Sequence, residues 1–114
     1  MPSGRPTIAS RRLLAIEANG REFEVTIAIG TPYEVAEGEW ACPASMDGLH
    51  RLRDIRGVDS WQAMQLAYQL IATMLSYFVE DGGRLVWLGE PMATEQLFPR
   101  PASAPPSNEG EVRF

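Results

Sequence analysis

The chain has 114 residues, 45% hydrophobic and 22% charged, as expected of one small globular domain with a single core. Its formal net charge of -5 opposes non-specific attraction to nucleic acid or an anionic membrane and favours a basic partner. All ten basic residues are arginine, which excludes mechanisms built on a lysine, and the single Cys42 can form no internal disulfide and so implies no oxidising compartment. At the start of the chain, the apolar run from Leu13 to Ile16 is ended by Glu17 well short of a signal-peptide core, and the expected location is the cytoplasm.

Residues 7–29 read as a β-hairpin, because two apolar stretches flank Asn19 and Gly20, a pair that tolerates the positive φ angles of a tight turn. In the second strand Phe23, Val25, Ile27 and Ile29 alternate with Glu22, Glu24, Thr26 and Ala28. A two-residue loop would set Ile16 opposite Phe23, Leu14 opposite Val25 and Arg12 opposite Ile27. Thr31, Pro32, Glu37 and Gly38 punctuate a connection to a third strand over residues 39–46, where Pro43 marks an edge or a bulge. After a second turn signal at Asp47 and Gly48, residues 49–56 are ambiguous between strand and helical turn and are assigned to a short strand.

The stretch from Gly57 to Gly83 predicts a long helix, with Asp59 as N-cap, Gln62 at capping-box spacing and Gly82–Gly83 as the stop. Residues 84–90 then read as a short buried strand, and the proline-rich residues 101–114 as a flexible tail, with Leu97 and Phe98 fastening its beginning. Wound at 100° per residue, the helix gathers Gln62, Gln65, Gln69, Thr73, Ser76 and Glu80 into one polar arc of roughly 80°. Apolar side chains fill the rest. Leu66, Leu70 and Tyr77 form one flank of the apolar side, and Trp61, Tyr68, Ala72 and Val79 the other. A helix resting on a sheet needs an apolar stripe only somewhat over about 100° wide, so the flanks are in excess. A membrane span is disfavoured by the stripe of glutamines, which leaves burial under a curled sheet or a surface for a partner.

One histidine and one cysteine cannot build a structural zinc site, and no acidic pair has calcium-loop spacing, so no metal or cofactor is expected. If residues 49–56 form a hairpin strand, Cys42 pairs with Arg53 and His50 with Ser45, on opposite faces. Asp54 would then lie roughly 13 Å along the strand from His50, too far to complete a Ser45–His50 triad. Arg51, Arg53 and Arg56 form the sole basic cluster and approach the helix start, where Asp59 competes for the anion-binding N–H groups. No catalytic set emerges, and the expectation is a protein that is not an enzyme.

The stretch "GVDSWQAMQLAYQLI", preceded by "EWACP" and followed by "RLVWLGE" and "FPR", resembles a family of short uncharacterised bacterial proteins. The matching positions are Trp40, Cys42, Pro43, Gly57, Asp59, Gln62, Ala63, Leu66, Trp87, Leu88 and Gly89. The resemblance implies a single domain over residues 1–100 and brings no activity or catalytic residue with it. The expected fold is α+β, an antiparallel sheet of four to five strands (β-β-β-β-α-β) with one long helix on one face. The leading functional expectation is a protein-interaction or regulatory protein, immunity-like in one form. Such a protein would bind through one helix flank, Leu66, Leu70 and Tyr77 or Trp61 and Tyr68, and take a second copy or a basic protein as partner. The rival is a small-molecule-binding domain or minor enzyme with a pocket lined by Trp40, Tyr68 and Trp87.

Overall fold

The computed structural model describes residues 6–97. In chain order the elements are β1 (Thr7–Ile16), β2 (Glu22–Gly30), β3 (Tyr33–Ala36), β4 (Glu39–Cys42), β5 (Ala44–Asp47), β6 (Ile55–Gly57), α1 (Ser60–Glu80), β7 (Arg84–Trp87), β8 (Glu90–Pro91) and α2 (Thr94–Leu97). The fold is α+β, an antiparallel sheet of five strands in the order β5-β2-β1-β7-β8 packed against the one long helix. A second sheet, β3-β4-β6, continues from the first.

The two sheets share one bent hairpin. β2 pairs with β5 and β3 with β4, so the chain passes between the sheets at residues 30–32 on one arm and at Pro43 on the other. Pro32 and Pro43 have no N–H to give a ladder, which ends regular pairing at the bend. One bond bridges the gap, from the Gly30 N–H to the Pro43 carbonyl at 2.9 Å, and a Cβ on Gly30 would strike the Pro43 ring. The expected third strand over 39–46 is therefore two strands, and the expected connection contains β3.

The β1–β2 hairpin forms with a register one residue from that expected. Ile16 opposes Glu22, Leu13 opposes Val25, and Arg11 rather than Arg12 opposes Ile27. The loop has three residues: the Gly20 N–H donates to the Glu17 carbonyl and the Glu17 N–H to the Arg21 carbonyl, both at 2.8 Å, with Gly20 at φ 91°. This is a turn closed by a left-handed glycine, a bulged alternative to the two-residue loop. A slip of one residue exchanges the faces of β1, so Leu13 and Ala15 enter the core while Leu14 lies half-buried on the far side.

Residues 49–56 are mostly not a strand. The Leu49 and His50 N–H groups both donate to the Met46 carbonyl, residues 51–54 are irregular, and only β6 pairs with β4, setting Cys42 opposite Ile55 rather than Arg53. Leu49 and Leu52 pack against the core from this loop. The stretch 84–90 also divides, turning back at Leu88 (φ 54°) and Gly89 (φ 80°) to make the β7–β8 hairpin. β7 pairs antiparallel with β1, so no parallel crossover from β6 arises, and exposed Arg84 shows that only one face of β7 is buried.

α1 begins as its sequence implies. The Gln62 N–H donates to Asp59 Oδ1 at 2.8 Å, and Gln62 Oε1 accepts from the Val58 N–H at 2.9 Å. It ends where the Gly82 N–H, at φ 98°, reaches the Val79 carbonyl and the Gly83 N–H the Phe78 carbonyl. The row Ala63, Ala67, Ile71 and Leu75 is buried against Leu13, Val25, Ile27, Cys42, Met46 and Leu85. Two alanines in that row let the helix start approach the sheet so closely that a Cβ on Gly57 would overlap the Ala63 backbone nitrogen. The expected tail over 101–114 and Phe98 lie outside the described residues.

Candidate interaction face

A buried row of four residues spaced every fourth position occupies a narrow stripe, and the side chains beside it stand out from the sheet on both sides. On one flank Trp61 is 70% exposed and Tyr68 45%; on the other Tyr77 is 57% and Leu66 36%. Leu70 is half-buried, and Val79 is exposed beside the first flank. Between the flanks run Gln65, Gln69 and Thr73, also exposed, and no residue of α1 before Glu80 carries a charge. The outward surface of the helix is thus neutral along its length, with amides and hydroxyls framed by aromatic and aliphatic rims.

Tyr68 and Ile71 overhang a small cleft of about 170 Å3 whose floor is Ala9, Arg11, Ile27 and Ile29. Beside it the Arg11 guanidinium lies 3.7 Å from the centre of the Trp87 ring, a cation–π stack. Neither Trp40 nor Trp87 lines the cleft that Tyr68 forms; Trp40 sits in β4 opposite Gly57, in the other sheet. The three aromatics of the expected pocket are not gathered around that cleft. Arg11 carried no sequence signal, because its importance comes from a strand pairing that the chain order does not reveal.

A larger open cleft of about 710 Å3 lies along β5 and the following loop, lined among others by Ser45, Asp47, His50, Arg51 and Asp54. Beside it the backbone of Met46, not Ser45, bridges to His50, so the expected Ser45–His50 pairing is absent. Tyr33 donates its hydroxyl to Asp54 Oδ2 at 2.5 Å. Cys42 is wholly buried, with its Sγ 3.5 Å from the Gly30 carbonyl; burial and, secondarily, the charge of Asp54 push its thiol above the usual value. Such a thiol is a packing group rather than a nucleophile. Of the arginine cluster, Arg56 pairs with Glu39 while Arg51 and Arg53 are exposed. Among the described residues no three His, Cys, Asp or Glu side chains are grouped to hold a metal, and no helix is long and apolar enough to cross a membrane.

A family model described as a domain of unknown function, DUF6968, matches residues 9–99. The chain belongs to this family. The DUF6968 match begins within β1, at Ala9, and runs past α2, so the bent hairpin, the long helix and the β7–β8 hairpin all lie within the family's domain. No curated protein and no solved structure matches the chain.

Proposed function

We propose that this DUF6968 protein is a non-enzymatic, cytoplasmic interaction domain that self-associates through the outward face of α1. The observation that carries the reading is the exposure of Trp61, Leu66, Tyr68 and Tyr77 on a helix with no charge from Ser60 to Val79, in a protein of net charge -5. Interface cores are depleted of charge and enriched in Tyr and Trp. A strongly basic partner would be met by carboxylates, and this face offers none before Glu80. Another neutral face suits it better, and a second copy presents one, so two molecules of like net charge can meet along α1 without opposing like charges.

The helix is about 30 Å long and 10–12 Å across, so its face alone falls below the roughly 800 Å2 per partner of a standard interface. The association is accordingly weak, in the range of transient complexes. Sedimentation equilibrium from about 10 μM to 1 mM should show a reversible dimer. Tyr77→Glu or Leu66→Glu should shift it at least tenfold toward monomer with the circular dichroism unchanged. A protein that stays monomeric at 1 mM would overturn the reading.

A further inference from the structure

β1 is a central strand over half its length and an edge over the other half. Along β2 it is paired from Thr7 to Ile16, but β7 reaches only Leu14, Ala15 and Ile16 before the chain turns back at Leu88 and Gly89. Among the described residues nothing pairs with the other side of residues 7–12. An unpaired strand edge is a template for a further strand. This one is accessible, with Thr7, Ile8, Ala9, Ser10 and Arg12 exposed and Ile8 displaced at a bulge. The Tyr68 flank of α1 overhangs the same half of β1, across the cleft floored by Ala9 and Arg11.

We infer that residues 7–12 accept an extended segment of a partner protein as an added strand in line with β7, one whose helix-facing side chains are an acidic residue and an apolar neighbour. Charge selects the partner. Arg11 and Arg12 are the only charges on this edge; Arg12 reaches Glu24 at 3.7 Å, whereas Arg11 stacks on Trp87 and has no carboxylate within ion-pair distance among the described residues. An acidic residue set opposite Arg11 would supply that counter-charge, and an apolar residue two positions along would lie in the cleft beneath Tyr68. The β1 of a second copy brings two more arginines and no carboxylate, which disfavours it as the occupant. The site meets the proposed α1 face at Tyr68, whereas Leu66 and Tyr77 stand on the flank away from it, so a change at Tyr77 tests the α1 pairing without touching this edge.

The test is amide hydrogen exchange of the full chain, with and without a blocked threonine hexapeptide that carries one glutamate and one valine two positions apart, and so on one face of the added strand. The amides of residues 7–12 that point away from β2 should exchange rapidly in the free protein at every concentration and become protected when the peptide is added. Arg11→Gln, checked for fold by circular dichroism, should weaken peptide binding at least tenfold, and the same peptide with arginine in place of its glutamate should not bind. Protection of these outward amides in the free protein at all dilutions would assign the edge to the chain itself, and protection that grows with protein concentration would assign it to a second copy. Either result overturns the inference, as does peptide binding that Arg11→Gln leaves unchanged. The Tyr77→Glu protein should bind the peptide normally, so failure here is distinguishable from failure of the α1 dimer.

Discussion

Leu88 and Cys42 sit in surroundings that contradict their chemistry in opposite ways. Leu88 holds φ 54° at the tip of the β7–β8 hairpin and is 81% exposed, so a bulky aliphatic side chain occupies a left-handed position and buries little. Turns of this shape favour Asn-Gly, and Leu88→Asn should raise stability by about 0.5–1 kcal/mol, read as a higher urea midpoint at constant m-value. A drop in midpoint would mean that Leu88 makes a contact worth more than the strain. Cys42 has the opposite problem, a titratable group with no exposure at all. Because burial raises its folded pKa, the unfolded chain loses this proton first as pH rises. The thiol's contribution is therefore complete below the unfolded thiol pKa and is lost as pH climbs toward the folded value, with a slope of at most about 1.4 kcal/mol per pH unit. Urea titrations between pH 7 and 10 should show the wild type losing stability faster than Cys42→Ala, and native Cys42 should resist a thiol reagent that labels it in urea.

At the level of elements, local chemistry was legible and pairing was not. Asp59, Gln62, Gly82 and Gly83 announced both ends of α1, because each acts on backbone groups within four residues. Asp59→Ala should cost about 1 kcal/mol by leaving the Gln62 N–H without its acceptor, and Asp59→Asn should recover most of it in thermal melts. The hairpin register was harder, since Asn19 and Gly20 serve a two-residue turn or a three-residue loop equally well and the apolar run Leu13 to Ile16 offers a hydrophobic face in either register. Residues 84–90 were misread for a related reason: Leu-Gly lacks the polar signature of the turn it makes. β3 escaped because Thr31 and Pro32 bend a continuing strand, and the pairing of Tyr33 with Ala41 is set by the opposite bend at Pro43. Gly57 was legible only as punctuation. Its closeness to Ala63 predicts that Gly57→Ala forces β6 and the helix start apart, costing more than the few tenths expected at an exposed glycine.

For the whole molecule, the helical wheel sorted the side chains of α1 into buried row, flanks and polar arc, because that pattern depends only on a period of 3.6. It could not show the open edge of β1, which depends on how far β7 extends, nor the placing of Trp40 and Trp87 in different sheets. The resulting surface has two parts of unlike electrostatics, and salt should separate them. Two copies of net charge -5 repel, and the α1 face holds no ion pair to offset that repulsion, so screening removes a cost and leaves the apolar contact intact. Raising NaCl from about 0.05 to 0.5 M, which shortens the Debye length from over 10 Å to under 5 Å, should strengthen self-association a few-fold in sedimentation equilibrium. Binding of an acidic strand at Arg11 rests on attraction and should weaken over the same range. If dimerisation instead weakens with salt, charged groups hold it together, and the neutral helix face is not where the copies meet.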